Sequence, residues 1–128
     1  MDELIARVAA AANLDADTAK KAVGIILGFL RKESEAPETE QLIAALPGAE
    51  AVIAENAEAK GGGLMGGLAG MMGGGGLMGL ASQLSSAGLG MMEMQTVGKE
   101  LFAFAREKAG EDVVGQVAAS VPGLSQFA

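Results

Sequence analysis

Apolar residues recur at spacings of three and four along the first part of the chain, the pattern of amphipathic helices. The first helix is predicted from Asp2 to about Ala12. Its apolar face consists of Leu4, Ile5 and Val8. Glu3 and Arg7 stand four positions apart within it. We therefore expect these two side chains to form an ion pair along the helix surface.

Three more helices are predicted before residue 60. The second begins after Asp15, whose carboxylate can accept hydrogen bonds from the free N–H groups of the first turn. Its apolar stripe consists of Ala19, Ala22, Ile26, Phe29 and Leu30. The third opens at Pro37 and ends before the turn sequence Pro47-Gly48. Its buried side consists of Leu42, Ile43 and Leu46. A fourth is predicted from Ala49 to about Ala59.

The last part of the chain repeats this pattern at an offset of 75 residues, where nine positions are identical. Phe29 then aligns with Phe104, and Pro47-Gly48 aligns with Pro122-Gly123. The corresponding helices are predicted at Leu77 to Ala87, Met91 to Lys108 and Glu111 to Val121. The middle one carries the apolar stripe Met94, Val97, Leu101 and Phe104.

These patterns predict an all-α protein of six or seven short helices. We expect a single domain over residues 1–128, made of two pseudo-repeated three-helix halves at 1–53 and 76–128. A connecting helix and a low-complexity segment occupy residues 54–75.

The middle of the chain is uncharged from residue 61 to residue 92. From Gly61 to Leu80 it holds only Gly, Leu, Met and one Ala, with eleven glycines. Several glycines stand four apart, as in membrane helix pairs. The four leucines contribute only about −0.3 to −0.6 kcal/mol each to insertion, so membrane association is not expected. We favour a flexible, apolar connection between the halves, and the alternative is an exposed interaction patch for another chain or a lipid surface. The patch would consist of Leu64, Met65, Leu68, Met71, Met72, Leu77 and Met78.

The charge and composition of the chain argue against several kinds of function. The net charge of −7 repels phosphate backbones, so nucleic acid is not an expected partner. The chain lacks cysteine, which excludes disulfides and thiolate ligands. Its first residues, Met1-Asp2-Glu3-Leu4, do not have the basic start of a secretory signal. We therefore expect a cytoplasmic protein.

No catalytic constellation is evident. The chain has no histidine, and its serines have no recognisable activating base. The acids Glu33, Glu35, Glu38 and Glu40 fit a helix start that faces water. We expect no enzyme activity and no cofactor or metal. One alternative stays open, because methionine thioethers are soft ligands that could hold Cu(I).

Three features of the sequence together resemble the VcgC/VcgE-type family of small bacterial proteins of unknown function. They are Leu46-Pro47-Gly48, the segment at 61–80, and Gly88-Leu89-Gly90-Met91 before a helix with Phe102 and Phe104. The resemblance implies a bacterial source. It implies no activity and no functional residue that could be transferred to this chain.

The leading hypothesis is a non-enzymatic protein-interaction or scaffolding protein that could self-associate. Its basis is the apolar middle segment together with the lack of recognisable chemistry. The second hypothesis is a carrier that binds an apolar small molecule or lipid between the two helical halves. The third is a methionine-based Cu(I) binder.

Overall fold

The computed structural model describes residues 2–33, 37–54 and 77–120. These residues form helices and no strands, which confirms the predicted all-α class. We number the seven helical segments in chain order. They are α1 Asp2–Ala12, α2 Ala16–Glu33, α3 Glu38–Ala45, α4 at residues 49–54, α5 Leu77–Ser86, α6 Met91–Ala109 and α7 Glu111–Ser120.

The turn between α1 and α2 depends on a residue in the left-handed conformation. Asn13 has a φ of 57°, and Asn tolerates this region better than most side chains. The Leu14 N–H then donates to the Ala9 carbonyl over 2.8 Å. The Asp15 carboxylate accepts a hydrogen bond from the Thr18 hydroxyl at 3.2 Å. This local chemistry ends α1 and starts α2.

The turn between α5 and α6 has the same backbone form. Gly88 has a φ of 100°, and the Leu89 N–H donates to the Leu84 carbonyl over 3.1 Å. The Gly90 N–H donates to the Glu93 carboxylate over 2.7 Å at the start of α6. Both α5 and α6 begin 75 residues after α1 and α2. The pseudo-repeat itself stays a prediction.

The helices of the two sequence halves are interleaved. Helix α1 packs most extensively against α6 and also against α2, whereas α5 packs mainly against α2. Helix α3 packs against α7 and α6. The first helix of each half therefore contacts the second helix of the other half.

The core follows the predicted stripes, with one shift in α2. The predicted residues of α1, α3 and α6 are buried. In α2, Phe29 is only half-buried, while Val23 and Leu27 are fully buried. Because α2 contacts α1, α3, α5 and α6, its buried surface is wider than one stripe of an amphipathic helix.

Candidate functional site

The predicted apolar patch falls almost entirely outside what the structure describes. Leu64, Met65, Leu68, Met71 and Met72 lie outside the described residues. Leu77 and Met78 begin α5, but their side chains also lie outside the description. The patch therefore stays a prediction.

Two neighbouring methionines at the start of α6 are exposed. Met91 is 72% and Met92 is 76% exposed, whereas Met94 in the same turn is 8% exposed. We call Met91 and Met92 the methionine pair. Its backbone is held by bonds that do not involve the thioethers, since the Thr96 hydroxyl donates to the Met92 carbonyl at 2.9 Å. The pair thus presents two flexible apolar side chains to solvent from a defined helix start.

The stretch of chain that precedes the methionine pair carries no formal charge. The uncharged stretch of the sequence ends at Met92. In its described part, Ser85, Ser86 and Gly88 are exposed beside the pair in the chain. Charge begins again at Glu93, which directly follows the pair, is half-buried and accepts a hydrogen bond from the Gly90 N–H.

The two halves differ at this place. The offset of 75 residues aligns the methionine pair with Ala16 and Asp17 at the start of α2. All four residues are exposed, and Ala19 and Met94, three positions after Ala16 and Met91, are both buried. A helix start of this form therefore needs no large apolar side chain at its first two positions.

A charged cluster joins α1 to α6. Arg7 lies 2.8 Å from the Glu107 carboxylate and 3.5 Å from that of Glu100. Its guanidinium carbon lies 5.5 Å from the centre of the Phe104 ring, and the Lys108 ammonium lies 5.4 Å from the same centre. The hydrogen bond to Glu107 is the main cause that raises the already high pKa of Arg7. Arg7 therefore remains a cation at all ordinary pH.

The sequence predicts Glu3 as the partner of Arg7, and this prediction is wrong. The ion pairs of Arg7 run to α6 instead. The physical reason is that α1 packs along α6, which places two carboxylates near one guanidinium. An ion pair within one exposed helix is worth only about 0.2–0.5 kcal/mol, too little to compete with that arrangement.

A second arginine, Arg31, forms ion pairs between α2 and the helices α3 and α4. Arg31 lies 3.3 Å from the Glu40 carboxylate and 3.2 Å from that of Glu50. These side chains are well exposed. Glu40 thus lies at a helix start that faces water, as predicted, and it has a structural partner. Exposed pairs of this kind contribute little to stability.

The described residues do not assemble a recognisable reactive centre. No group of three or more Asp, Glu, His or Cys residues within 2–33, 37–54 and 77–120 is placed to hold a metal ion. Met94 lies in the core while the methionine pair is exposed, so these three thioethers do not share one environment. The other methionines lie outside the described side chains, and the Cu(I) and carrier hypotheses stay predictions.

Among the described helices, none combines the length and the apolar character needed to cross a bilayer. No family model matches this chain, and no curated protein or solved structure shows significant similarity to it. The resemblance to the VcgC/VcgE-type family stays a prediction.

Proposed function

We propose that this protein is a non-enzymatic interaction protein that self-associates through the exposed methionine pair, Met91 and Met92, at the end of the uncharged stretch of its chain. The observation that carries the proposal is the exposure of these two side chains, 72% and 76%. Methionine is common at adaptable binding surfaces because its side chain is flexible and polarisable. Exposed neighbouring apolar side chains are a feature of interaction sites.

The comparison of the two helix starts supports a role beyond folding. Helix α2 begins with Ala16 and Asp17 in the same exposed places. An acid there also suits the positive end of the helix dipole. Helix α6 has an acid in its first turn as well, Glu93, and its methionine pair gains no burial. Packing in the core therefore does not account for methionine at these positions.

The partner we propose is a second copy of this chain. Each copy carries a net charge of −7, so two copies repel one another over most of their surface. Repulsion is weakest where both surfaces are uncharged. A two-fold contact would place the methionine pair of one copy beside that of the other.

The association should be weak if the described surface acts alone. A stable interface buries about 800 Å² on each partner, more than two side chains supply. The predicted patch at 64–78 could add to it. We expect association that grows with protein concentration and with salt, because salt screens the repulsion between acidic copies.

The test uses a double substitution that the chain itself suggests. In Met91→Ala/Met92→Asp, α6 begins with the two residues that begin α2, so the helix start is preserved while its apolar surface is lost. Sedimentation equilibrium should show the wild-type mass rising with concentration and the variant remaining near monomer mass. Gln116→Ala, an exposed change on α7, serves as the control and should behave like the wild type. A wild type that is monomeric up to about millimolar concentration, or a variant that associates equally well, would refute the proposal.

A further inference from the structure

The methionines of α6 differ sharply in access to solvent. Met91 and Met92 are 72% and 76% exposed, and Met94 is 8% exposed. Thioether sulfur is oxidised by peroxides to the sulfoxide, a reaction that converts an apolar side chain into a polar one. A dissolved oxidant reaches the methionine pair directly but reaches Met94 only after the core opens.

We propose that the methionine pair is a modification site for peroxide oxidants, and that its oxidation switches off self-association. In the reaction, the peroxide O–O bond breaks and an S–O bond forms at the thioether sulfur. The sulfur loses two electrons and takes one peroxide oxygen, the peroxide gains the two electrons, and its other oxygen leaves with both hydrogens as water. Methionine sulfoxide is reducible by enzymes specific for it, so the change is reversible.

The fold should survive this modification. Helix α6 starts on the hydrogen bonds from the Gly90 N–H to Glu93 and from the Met94 N–H to the Gly90 carbonyl. Neither bond uses the thioethers of the methionine pair. Substitutions at exposed positions usually change stability little, and an exposed sulfoxide belongs to the same class. A sulfoxide at Met94, by contrast, would place a polar group in the core.

The effect on association depends on the proposed function, whereas the oxidation itself does not. Two sulfoxides would replace the apolar thioethers of this surface with strongly polar groups that bind water. Bringing two such surfaces together removes that water, which costs free energy unless new hydrogen bonds form. Oxidation should therefore weaken association without unfolding the protein.

The first measurement is peptide mapping by mass spectrometry after the folded full chain is treated with hydrogen peroxide. We expect Met91 and Met92 to be oxidised at least about tenfold faster than Met94, because a dissolved oxidant reaches the Met94 sulfur only when the core opens. In urea the three rates should converge. Equal rates for Met94 and the pair in the folded protein would overturn the modification site, whatever the association data show.

The second measurement is sedimentation of treated and untreated protein. The variant Met91→Leu/Met92→Leu keeps the apolar surface but removes the oxidisable sulfur, so after treatment it should associate like untreated wild type. Met94→Leu is the matched control and should lose association on treatment as the wild type does. Loss of association in the treated double variant would assign the effect to other methionines and overturn the switch. An untreated wild type that never associates would refute the proposed function and the switch, and the mapping would still decide the modification site.

Discussion

The turns after the first helix of each half have the same backbone form with different side chains. Asn13 at φ 57° precedes Leu14, and Gly88 at φ 100° precedes Leu89. The N–H of Leu14 and that of Leu89 each donate to the carbonyl five residues earlier, over 2.8 Å and 3.1 Å. A left-handed residue followed by leucine is the shared requirement. Two different residues satisfy it, so the few identities between the halves understate how alike their backbones are here.

The first turns of α2 and α6, which follow these two turns, are also stabilised by different side chains. At α2 the Asp15 carboxylate accepts from Thr18, and at α6 the Glu93 carboxylate accepts from the Gly90 N–H. In each case one carboxylate secures the first turn. The first two residues of each helix, Ala16 and Asp17 in α2 and the methionine pair in α6, are exposed and are not constrained by packing. Met94 is buried, so the methionine pair can serve a surface role and Met94 cannot.

The largest expected change in the free energy of unfolding comes from substitutions that test the unequal burial of the two aligned phenylalanines. Phe104 is 2% exposed and Phe29 is half-buried. We expect Phe104→Ala to lower the free energy of unfolding by about 3–5 kcal/mol and Phe29→Ala to lower it by clearly less. Urea unfolding followed by circular dichroism measures both. If Phe104→Ala does not fold, the milder pair Phe104→Leu and Phe29→Leu allows the same comparison, and equal losses would show that the two halves are packed alike.

A smaller effect tests the left-handed position itself. Gly88→Ala places a β-carbon at φ 100°. We expect this strain to lower the free energy of unfolding by about 1–2 kcal/mol. Gly88→Asn should recover part of that loss, because Asn13 occupies the corresponding place. Gly115 is the control, since it is exposed in α7 with open space around a β-carbon. Gly115→Ala should stabilise the protein by about 0.5–1 kcal/mol. Thermal unfolding that shows the same sign for both Ala variants would contradict this account of the turn.

The smallest effect concerns the charged cluster between α1 and α6. Arg7 corresponds to Ser82 in α5, so α1 is joined to α6 by charge and α5 has no such group at this place. Arg7→Met keeps the apolar stem and removes the charge. We expect a modest loss of stability at low salt that shrinks as salt is raised to about 1 M, where screening acts within about 3 Å.

The Arg7 contribution should show no pH dependence of its own around neutrality. Its pKa is raised above an already strongly basic value by the hydrogen bond to Glu107. A raised pKa in the folded state means that the contribution is fully present below the unfolded value and is lost only as pH rises through the folded one. Ser82→Ala on α5 is the control and should be insensitive to salt. A salt-independent loss for Arg7→Met would assign the effect to packing on Phe104.

The candidate site was only partly predictable. The sequence identified the uncharged stretch that ends at Met92, but its interpretation centred on residues 64–78. Helical spacing alone does not predict the exposure of the methionine pair, because it places Met91, three positions before Met94, near the same face. The alignment of Met92 with Asp17 is the available signal, since a charged residue is rarely buried in a core without a partner.

Local features of the sequence determined where the helices of the described residues begin and end and which residues face inward. Turn residues such as Asn13 and Gly88, and apolar spacing along each helix, act within a few positions of the chain. The tertiary structure alone decided that α1 packs on α6, that Arg7 pairs with Glu107 at a separation of 100 residues, and that Phe104 is more deeply buried than Phe29. Contacts of this kind depend on how helices distant in sequence share a core, and periodicity within one helix carries no information about its partner.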